Sequence, residues 1–412
     1  MKEKNTQPFD LVAKPKKVRL HWRIVEYLMS YALTFSSRHK LIKHNTKGLK
    51  PPYILLSTHG AFIDFAIAIK AQGAHRCHWV CSIEEYIGRE DMFRSLGVIA
   101  KRKFTNDITM VRHVLYALTR NKKNVAIYPE ARFSLVGVNE KIDGALGKLA
   151  KVAKVPVVLL VCHGNFLYSP QWAKHPYRRL PLVTDMYQIV TREEVEQLPA
   201  EEIQKRIEEK FVYDDYAWVR DNKIKVKSKK KAEGIHRVLY QCPHCLTESK
   251  MTSKDNRLWC EHCGVSYSMD EYHVLHCENA EAKFTHVPDW YRWEREQVRK
   301  QVETGTYRFE DEVFIEEFVN AKVGLVRHGV VKMVHDANGF VIDGEVLGQP
   351  FHFHKPVSSM YSCHIEFDFK GRGDCIDLAT VNETWFIYPK NAKNVITKIH
   401  FATEELHNFQ QK

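Results

Sequence analysis

The chain has 412 residues, of which 44% are hydrophobic and 27% charged, and its formal net charge is +12. This length predicts two or three domains, and the apolar content excludes a disordered chain. No run approaches the ~20 consecutive apolar residues of a membrane-spanning helix. The first residues, MKEKNTQPFD, lack the apolar core of a secretory signal. The sequence therefore predicts a cytoplasmic protein.

Positive charge is concentrated in residues 1–50, which hold twelve Lys and Arg against three Asp and Glu. Residues 20–36 predict a helix with a wide apolar face, because four polar residues recur at helical spacing: Arg23, Glu26, Ser30 and Thr34. Cations on both sides would let such a helix lie on an anionic bilayer. We interpret residues 1–50 as a peripheral anchor on the cytoplasmic face of the plasma membrane. A core-packed helix with solvated charges is the alternative.

Between residues 51 and 221, strand-like and helix-like segments alternate along the chain. The predicted strands are 53–57, 78–82, 125–128 and 155–161, and the predicted helices are 62–71, 107–120, 144–154 and 198–211. Such alternation predicts an α/β domain whose mixed or mostly parallel sheet is flanked by helices. Functional side chains are expected at the carboxyl ends of its strands.

The composition changes three times beyond residue 221. Residues 222–234 carry six lysines and predict a linker, while residues 235–280 contain two pairs of cysteines. Residues 281–412 begin with a helix and continue with alternating apolar and polar positions, which predict an antiparallel β domain closed by a C-terminal helix. The layout of this last part resembles that of a pleckstrin-homology domain.

The segment THGAFIDF places His59 just after a predicted buried strand and Asp64 at the start of the next helix. A carboxylate in this position can accept one ring N–H, which leaves the other nitrogen to take a proton from a hydroxyl group. The segment therefore predicts a His–Asp general base. Since the same spacing arises by chance in many chains, it is weak evidence when taken alone.

The prediction of a His–Asp general base gains weight from three later segments. They are SLGVIAKRKF at 95–104, NVAIYPEARFS at 124–134 and KVPVVLLV at 154–161. In order and spacing, the four segments resemble the sequence blocks of the glycerophospholipid acyltransferase family, in particular its 1-acyl-glycerol-3-phosphate acyltransferase branch. The resemblance covers roughly residues 20–220 and is specific, because four blocks agree in order and in predicted structural context.

The resemblance implies that His59 and Asp64 are catalytic. It also implies that Arg102, Glu130 and Arg132 hold the phosphate of the substrate. One departure is visible in the third block, which usually reads P-E-G-T-R-S but here reads PEARFS. The arginine stands one place early, and Phe133 takes its usual position.

The reaction implied is transfer of a fatty acyl group from acyl-CoA or acyl-carrier protein to the free hydroxyl of lysophosphatidic acid, which gives phosphatidic acid. His59 would deprotonate the hydroxyl without a covalent enzyme intermediate. Another lysophospholipid as acceptor is one alternative. A catalytically inactive scaffold that binds lipid or nucleic acid is a second, from a different functional class.

Four cysteines form two C-x-x-C pairs, Cys242 with Cys245 and Cys260 with Cys263. Two such pairs can supply four thiolates to a structural Zn²⁺ ion, so residues 235–280 predict a zinc ribbon. A disulfide role would require an oxidising compartment, which nothing in the sequence indicates. A ribbon beside a lysine run also suits nucleic acid, but the run has no interleaved aromatic residues for stacking bases. Because an acyltransferase-like segment precedes the run, we expect its lysines to bind anionic lipid or simply to be solvated, and nucleic acid is an unlikely partner.

Overall fold

The computed structural model describes residues 7–35, 37–105, 107–174 and 178–411. These residues form two seven-stranded sheets and one four-stranded sheet. The α/β segment, the cysteine-containing segment and the C-terminal segment each supply one of the sheets. A contiguous hydrophobic core runs through all three parts, so the catalytic candidate residues belong to a body that includes the C-terminal half.

The α/β domain begins with a long helix, which is followed by the first strand of the sheet. Its elements are, in chain order, α1 (Leu20–Phe35), β1 (Lys40–His44), β2 (Ile54–Ser57), α2 (Ile63–Gln72), β3 (Cys77–Ser82), α3 (Glu90–Ser95), β4 (Ile99–Lys101), α4 (Ile108–Thr119), β5 (Asn124–Ile127), α5 (Leu146–Ala153), β6 (Val157–His163), α6 (Asn165–Tyr168), β7 (Val183–Val190), α7 (Arg192–Gln197), α8 (Ala200–Lys210) and α9 (Asp215–Asp221).

The strand order of this sheet is β1-β7-β6-β2-β5-β3-β4. Every neighbouring pair is parallel except β6 and β7, so the predicted mixed, mostly parallel sheet is confirmed. The central strand β2 is buried throughout, as expected for a strand covered on both faces. Strand β1 departs from the prediction, because residues 40–44 were assigned to the membrane segment but pair with β7.

Helix α1 has its polar face turned inward. Its buried residues are Arg23, Glu26, Ser30 and Thr34, and Arg23 donates hydrogen bonds to carbonyl oxygens at the end of α2, including that of Ile69 at 2.9 Å. The apolar face points outward, with Leu28 66% exposed and Phe35 87% exposed. This is the reverse of an ordinary surface helix, whose apolar stripe faces the core. No helix in the described ranges is both long enough and apolar enough to cross a bilayer.

The lysine-rich segment 222–234 was predicted to be a linker, but the structure packs it against the ribbon. Val226 and Ala232 are fully buried, and their backbone N–H groups bond to the carbonyl oxygens of Glu271 at 2.8 Å and Asp255 at 3.0 Å. Two apolar residues of the segment are thus held among the residues of the ribbon, while the lysines lie between and beside them. The junction between the domains is therefore fixed by backbone hydrogen bonds.

The second half of the chain contains two antiparallel sheets. The ribbon strands are β8 (Met251–Lys254), β9 (Arg257–Cys260), β10 (Ser266–Met269) and β11 (Leu275–Cys277), in the order β11-β10-β9-β8. The helix α10 (Val287–Glu303) leads to β12 (Phe309–Asn320), β13 (Gly324–Asp336), β14 (Gly339–Val346), β15 (Gln349–Lys355), β16 (His364–Glu366), β17 (Cys375–Ala379), β18 (Thr384–Pro389) and α11 (Ile396–Gln410). Their order, β15-β14-β13-β12-β18-β17-β16, confirms the predicted antiparallel domain with a C-terminal helix. The likeness to a pleckstrin-homology domain remains a prediction.

Candidate active site and cysteine cluster

The turn between β2 and α2 brings together His59 and Asp64. Nδ1 of His59 lies 3.2 Å from Oδ2 of Asp64. Asp64 is fully buried, and its Oδ2 also accepts the backbone N–H groups of Gly60 at 2.6 Å and Ala61 at 2.9 Å. These bonds fix the carboxylate, which in turn fixes the orientation and tautomer of the imidazole.

A second loop supports Asp64 from the other side. The amide of Asn165 donates to Oδ1 of Asp64. The buried carboxylate of Asp215 holds this loop by accepting the backbone N–H groups of Gly164 at 2.8 Å and Phe166 at 2.9 Å, and burial raises the pKa of Asp215 to about 7. Sequence reasoning missed Asn165 and Asp215, because neither belongs to a recognisable motif.

His59 lines a cavity of about 750 Å³. The walls are mainly apolar and come from helices α1 to α5 and the segments between them, including Trp22, Val25, Met29, Phe65, Trp79, Phe93, Leu96, Met110, Leu115, Leu146 and Leu149. Some of the lining side chains are also exposed at the surface, namely Val25, Met29, Phe62, Met92, Val111 and Val152. The cavity is of the size of a small-molecule pocket and opens between apolar side chains.

Two aromatic rings hold the imidazole of His59 between them. The Tyr128 ring stacks on it at 3.9 Å between centroids with an interplanar angle of 18°, and the Phe133 ring lies at 4.0 Å and 35°. Phe133 is the residue at which the third sequence segment departs from the pattern that it resembles. Nε2 of His59 has no hydrogen-bond partner among the described residues, so this nitrogen is available to a ligand.

Glu130 contacts the backbone of His59 from outside the cavity. Its carboxylate accepts the backbone N–H of His59 at 3.2 Å, the backbone N–H of Glu140 at 3.0 Å and the hydroxyl of Tyr213 at 3.1 Å. Burial raises the pKa of Glu130 to about 8. Glu130 was predicted to contact substrate phosphate, but it does not line the cavity, and its contacts support the position of His59.

Arg102 is directed away from the cavity. Its guanidinium donates to Oγ1 of Thr384 at 2.6 Å and to the carbonyl oxygen of Asn382 at 2.9 Å. Both partners belong to the C-terminal domain, and Arg102 is buried. Although Arg102 was predicted to hold substrate phosphate, the structure places it at the contact between the domains.

Arg132 lines the cavity, but its guanidinium is paired within the protein. It donates to Oγ of Ser362 at 2.7 Å and to Oε1 of Glu404 at 3.2 Å, and Glu140 lies 3.6 Å away. Arg295 joins the same cluster through Glu404 at 2.7 Å. In this arrangement a carboxylate already occupies the face of Arg132 that was predicted to bind phosphate.

A polar patch interrupts the apolar wall where the two domains meet. It consists of Lys101 and Lys103 from the end of β4 and the following turn, and of Tyr361, His364 and Glu366 from the C-terminal domain. The sequence does not predict this patch, because its members lie about 260 positions apart and share no motif.

The four predicted metal ligands are brought together in the ribbon. The sulfur atoms of Cys242, Cys245, Cys260 and Cys263 all lie within 4.8 Å of one another. Sγ of Cys242 is 3.6 Å from Sγ of Cys263, and Sγ of Cys245 is 3.7 Å from Sγ of Cys260. A tetrahedral site with Zn–S bonds of ~2.3 Å would place the sulfur atoms ~3.8 Å apart. The predicted four-cysteine cluster is therefore confirmed, and its geometry fits a closed metal site.

No protein-family model matches the chain, and no curated protein matches it. Among solved structures, the chain is similar to the 1-acyl-sn-glycerophosphate (LPA) acyltransferase PlsC from Thermotoga maritima. The two are 15% identical, with a TM-score of 0.38, and the match covers 46% of this chain and 76% of that chain.

Proposed function

We propose that the protein is an acyltransferase that moves a fatty acyl group from a thioester to the hydroxyl of a lysophospholipid. The observation that supports this most strongly is the His59–Asp64 pair on the wall of a large apolar cavity. A general base beside a space suited to hydrocarbon is what acylation of a lipid hydroxyl requires.

In the proposed reaction, Nε2 of His59 takes the proton of the acceptor hydroxyl while Asp64 stabilises the imidazolium that forms. The hydroxyl oxygen attacks the thioester carbonyl, and the C–S bond then breaks. His59 returns its proton to the leaving thiolate, so no group remains on the enzyme. Because both reactants must be held beside His59, much of the rate gain should come from their orientation.

Lysophosphatidic acid is the acceptor that we propose, in line with the resemblance of the four sequence segments. Incubating the full-length protein with lysophosphatidate and acyl-CoA, or acyl-carrier protein charged with a fatty acid, should yield phosphatidate. Other lysophospholipids serve as competing acceptors in the same assay. If none is acylated with either donor, the protein is not a lysophospholipid acyltransferase.

We further propose that the protein docks peripherally on an anionic membrane through α1. The exposed apolar face of this helix continues into the exposed side chains at the cavity mouth, among them Met29 and Phe62. Lys14, Lys16 and Lys17 are exposed just before the helix. This arrangement would let a lipid substrate enter the cavity directly from the bilayer.

Replacing Leu28 and Phe35 together by asparagine should release the protein from anionic vesicles. Each side chain contributes about 1.5–3 kcal/mol when buried, so binding should fall at least about 100-fold. Vesicle sedimentation measures the effect, and added salt should weaken the remaining electrostatic share. The matched control is Leu347→Asn, which removes a leucine that is 82% exposed in the C-terminal domain. Equal binding by the double variant and the wild type would contradict this mode of attachment.

The four-cysteine cluster is proposed to hold one Zn²⁺ ion with a structural role. Four thiolates complete a tetrahedral shell and leave no open position for a substrate, unlike catalytic zinc sites with three protein ligands. The ion would fix the ribbon on which α10 packs, since Nε1 of Trp290 donates to the carbonyl oxygen of Gln241 at 3.0 Å, one residue before Cys242.

A further inference from the structure

The polar patch of the cavity contains two kinds of side chain. Some are already paired with an opposite charge, and others are hydrogen-bond donors without a partner among the described residues. Nζ of Lys103 lies 3.0 Å from Asp377 and 3.6 Å from Glu366, and Nε2 of His364 lies 2.7 Å from Glu366. Although burial favours its neutral form, His364 and Lys103 hold the pKa of Glu366 at about 2. Lys103 therefore faces two carboxylates, whose negative charges weaken its attraction for an anionic ligand.

Unlike Lys103, the side chains of Lys101 and Tyr361 are not paired with other described residues. Neither Nζ of Lys101 nor the hydroxyl of Tyr361 has a hydrogen-bond or ion-pair partner in the described part of the chain. Both side chains are half-buried on the cavity wall. Burial lowers the pKa of Lys101 and raises that of Tyr361 to about 12, so the phenol keeps its proton at neutral pH and can donate it to a hydrogen bond.

A partly desolvated cation gains more from an anion than a fully hydrated one, because part of its hydration is already lost. Two acids lie near Lys101: Asp143 on the cavity wall, which is exposed to water, and Asp107, whose carboxylate accepts the backbone N–H of Met110 at 2.9 Å. Neither forms an ion pair with Lys101 within the described residues. The charge of Asp143 is screened by solvent, so it opposes an anion only weakly. Lys101 is thus the cation on this wall that is best placed to receive a phosphate group.

We propose that Lys101 and Tyr361 form the subsite for the phosphate of the acceptor, and that the C-terminal domain thereby supplies part of the acceptor specificity. This inference rests on the proposed function and deepens it. It differs from the sequence prediction, in which Arg102 and Arg132 hold the phosphate. The acyl chain would extend into the apolar part of the cavity, with the acceptor hydroxyl next to His59.

The test uses Lys101→Met and Tyr361→Phe in the full-length protein. Loss of a hydrogen bond to a charged group should raise KM for lysophosphatidate about tenfold or more in each variant, with kcat and the KM for the acyl donor unchanged. Monoacylglycerol, which has no phosphate, should be acylated equally by variants and wild type. Lys205→Met and Tyr272→Phe are the controls, since neither residue lines the cavity.

Two outcomes would overturn the subsite. One is an unchanged KM for lysophosphatidate in both variants. The other is a rise confined to acyl-CoA, which would mean that the phosphates of the donor occupy this position.

Calorimetric binding of short-chain lysophosphatidate to the His59→Ala protein separates the subsite from the reaction. If Lys101→Met abolishes this binding while the wild type shows no turnover, the subsite is supported and the proposed reaction is not. If binding is the same with and without Lys101, the subsite is overturned whatever the activity.

Discussion

Replacing His59 by alanine is expected to lower kcat by about 10²- to 10⁴-fold, the usual range for loss of a general base. No other described side chain is hydrogen-bonded to Asp64 in a way that would let it take the proton of a cavity-bound hydroxyl. The KM values should change much less, because in the proposed arrangement the acyl chain and the phosphate would be bound elsewhere in the cavity. Steady-state kinetics with lysophosphatidate measure both effects.

Asp64→Asn should lower kcat, as His59→Ala should. Unlike His59→Ala, it should also lower the melting temperature. Besides its contact with Nδ1 of His59, the buried carboxylate accepts hydrogen bonds from Gly60, Ala61 and Asn165, and an amide cannot accept all of them. The matched control is His44→Gln, which breaks a His–Asp contact of 2.6 Å to Asp185 outside the cavity. Normal turnover by His59→Ala, or an equal loss in His44→Gln, would contradict the catalytic role of the pair.

Elemental analysis of the purified protein is expected to find close to one zinc ion per chain. Structural zinc contributes about 10–16 kcal/mol of apparent binding free energy in zinc-finger peptides. That is comparable to the whole stability of a typical domain, about 5–15 kcal/mol. Chelation or Cys260→Ser should therefore unfold the ribbon and expose the face of α10 that packs on it.

The matched control for the cysteine variants is Cys277→Ser. Cys277 lies in the same ribbon, on β11, but outside the cluster of four sulfur atoms. This variant should keep its zinc and its melting temperature. Full zinc occupancy after substitution of Cys260, or unaltered melting after removal of the metal, would show that the cluster does not hold the ribbon together.

The features that sequence predicts well here are local. The alternation of apolar runs predicts the order β2, α2, β3, α4, β5, α5 and β6, because buried strands and amphipathic helices have distinct periods, but it does not predict the short elements α3 and β4. The His59–Asp64 contact also followed from local spacing, since a turn of five residues joins a strand end to a helix start. The cysteine cluster is predictable for the same reason, because each knuckle is four residues long.

The features that sequence does not predict depend on distant contacts. The basic residues near the catalytic segment were expected to face substrate, yet Arg102 and Arg132 are bonded to residues that follow them by more than 200 positions. No local pattern marks Ser362, Thr384 or Glu404 as their partners. Helix α1 shows the same limit, since its periodicity gives two faces but does not say which of them is turned inward.

The contacts of Arg132 also affect how the chain must be made. Glu404, a partner of Arg132, follows Asp221 at the end of the α/β half by 183 residues, which a ribosome needs about 9–37 s to add at ~5–20 residues per second. Throughout that time the α/β half is complete in sequence, but Arg102 and Arg132 lack the hydrogen-bond partners that the C-terminal domain supplies. An unpaired buried guanidinium costs several kcal/mol, so this half should remain incompletely folded until α11 leaves the exit tunnel. Nascent chains of this protein are therefore expected to rely on chaperones that shield them until synthesis ends.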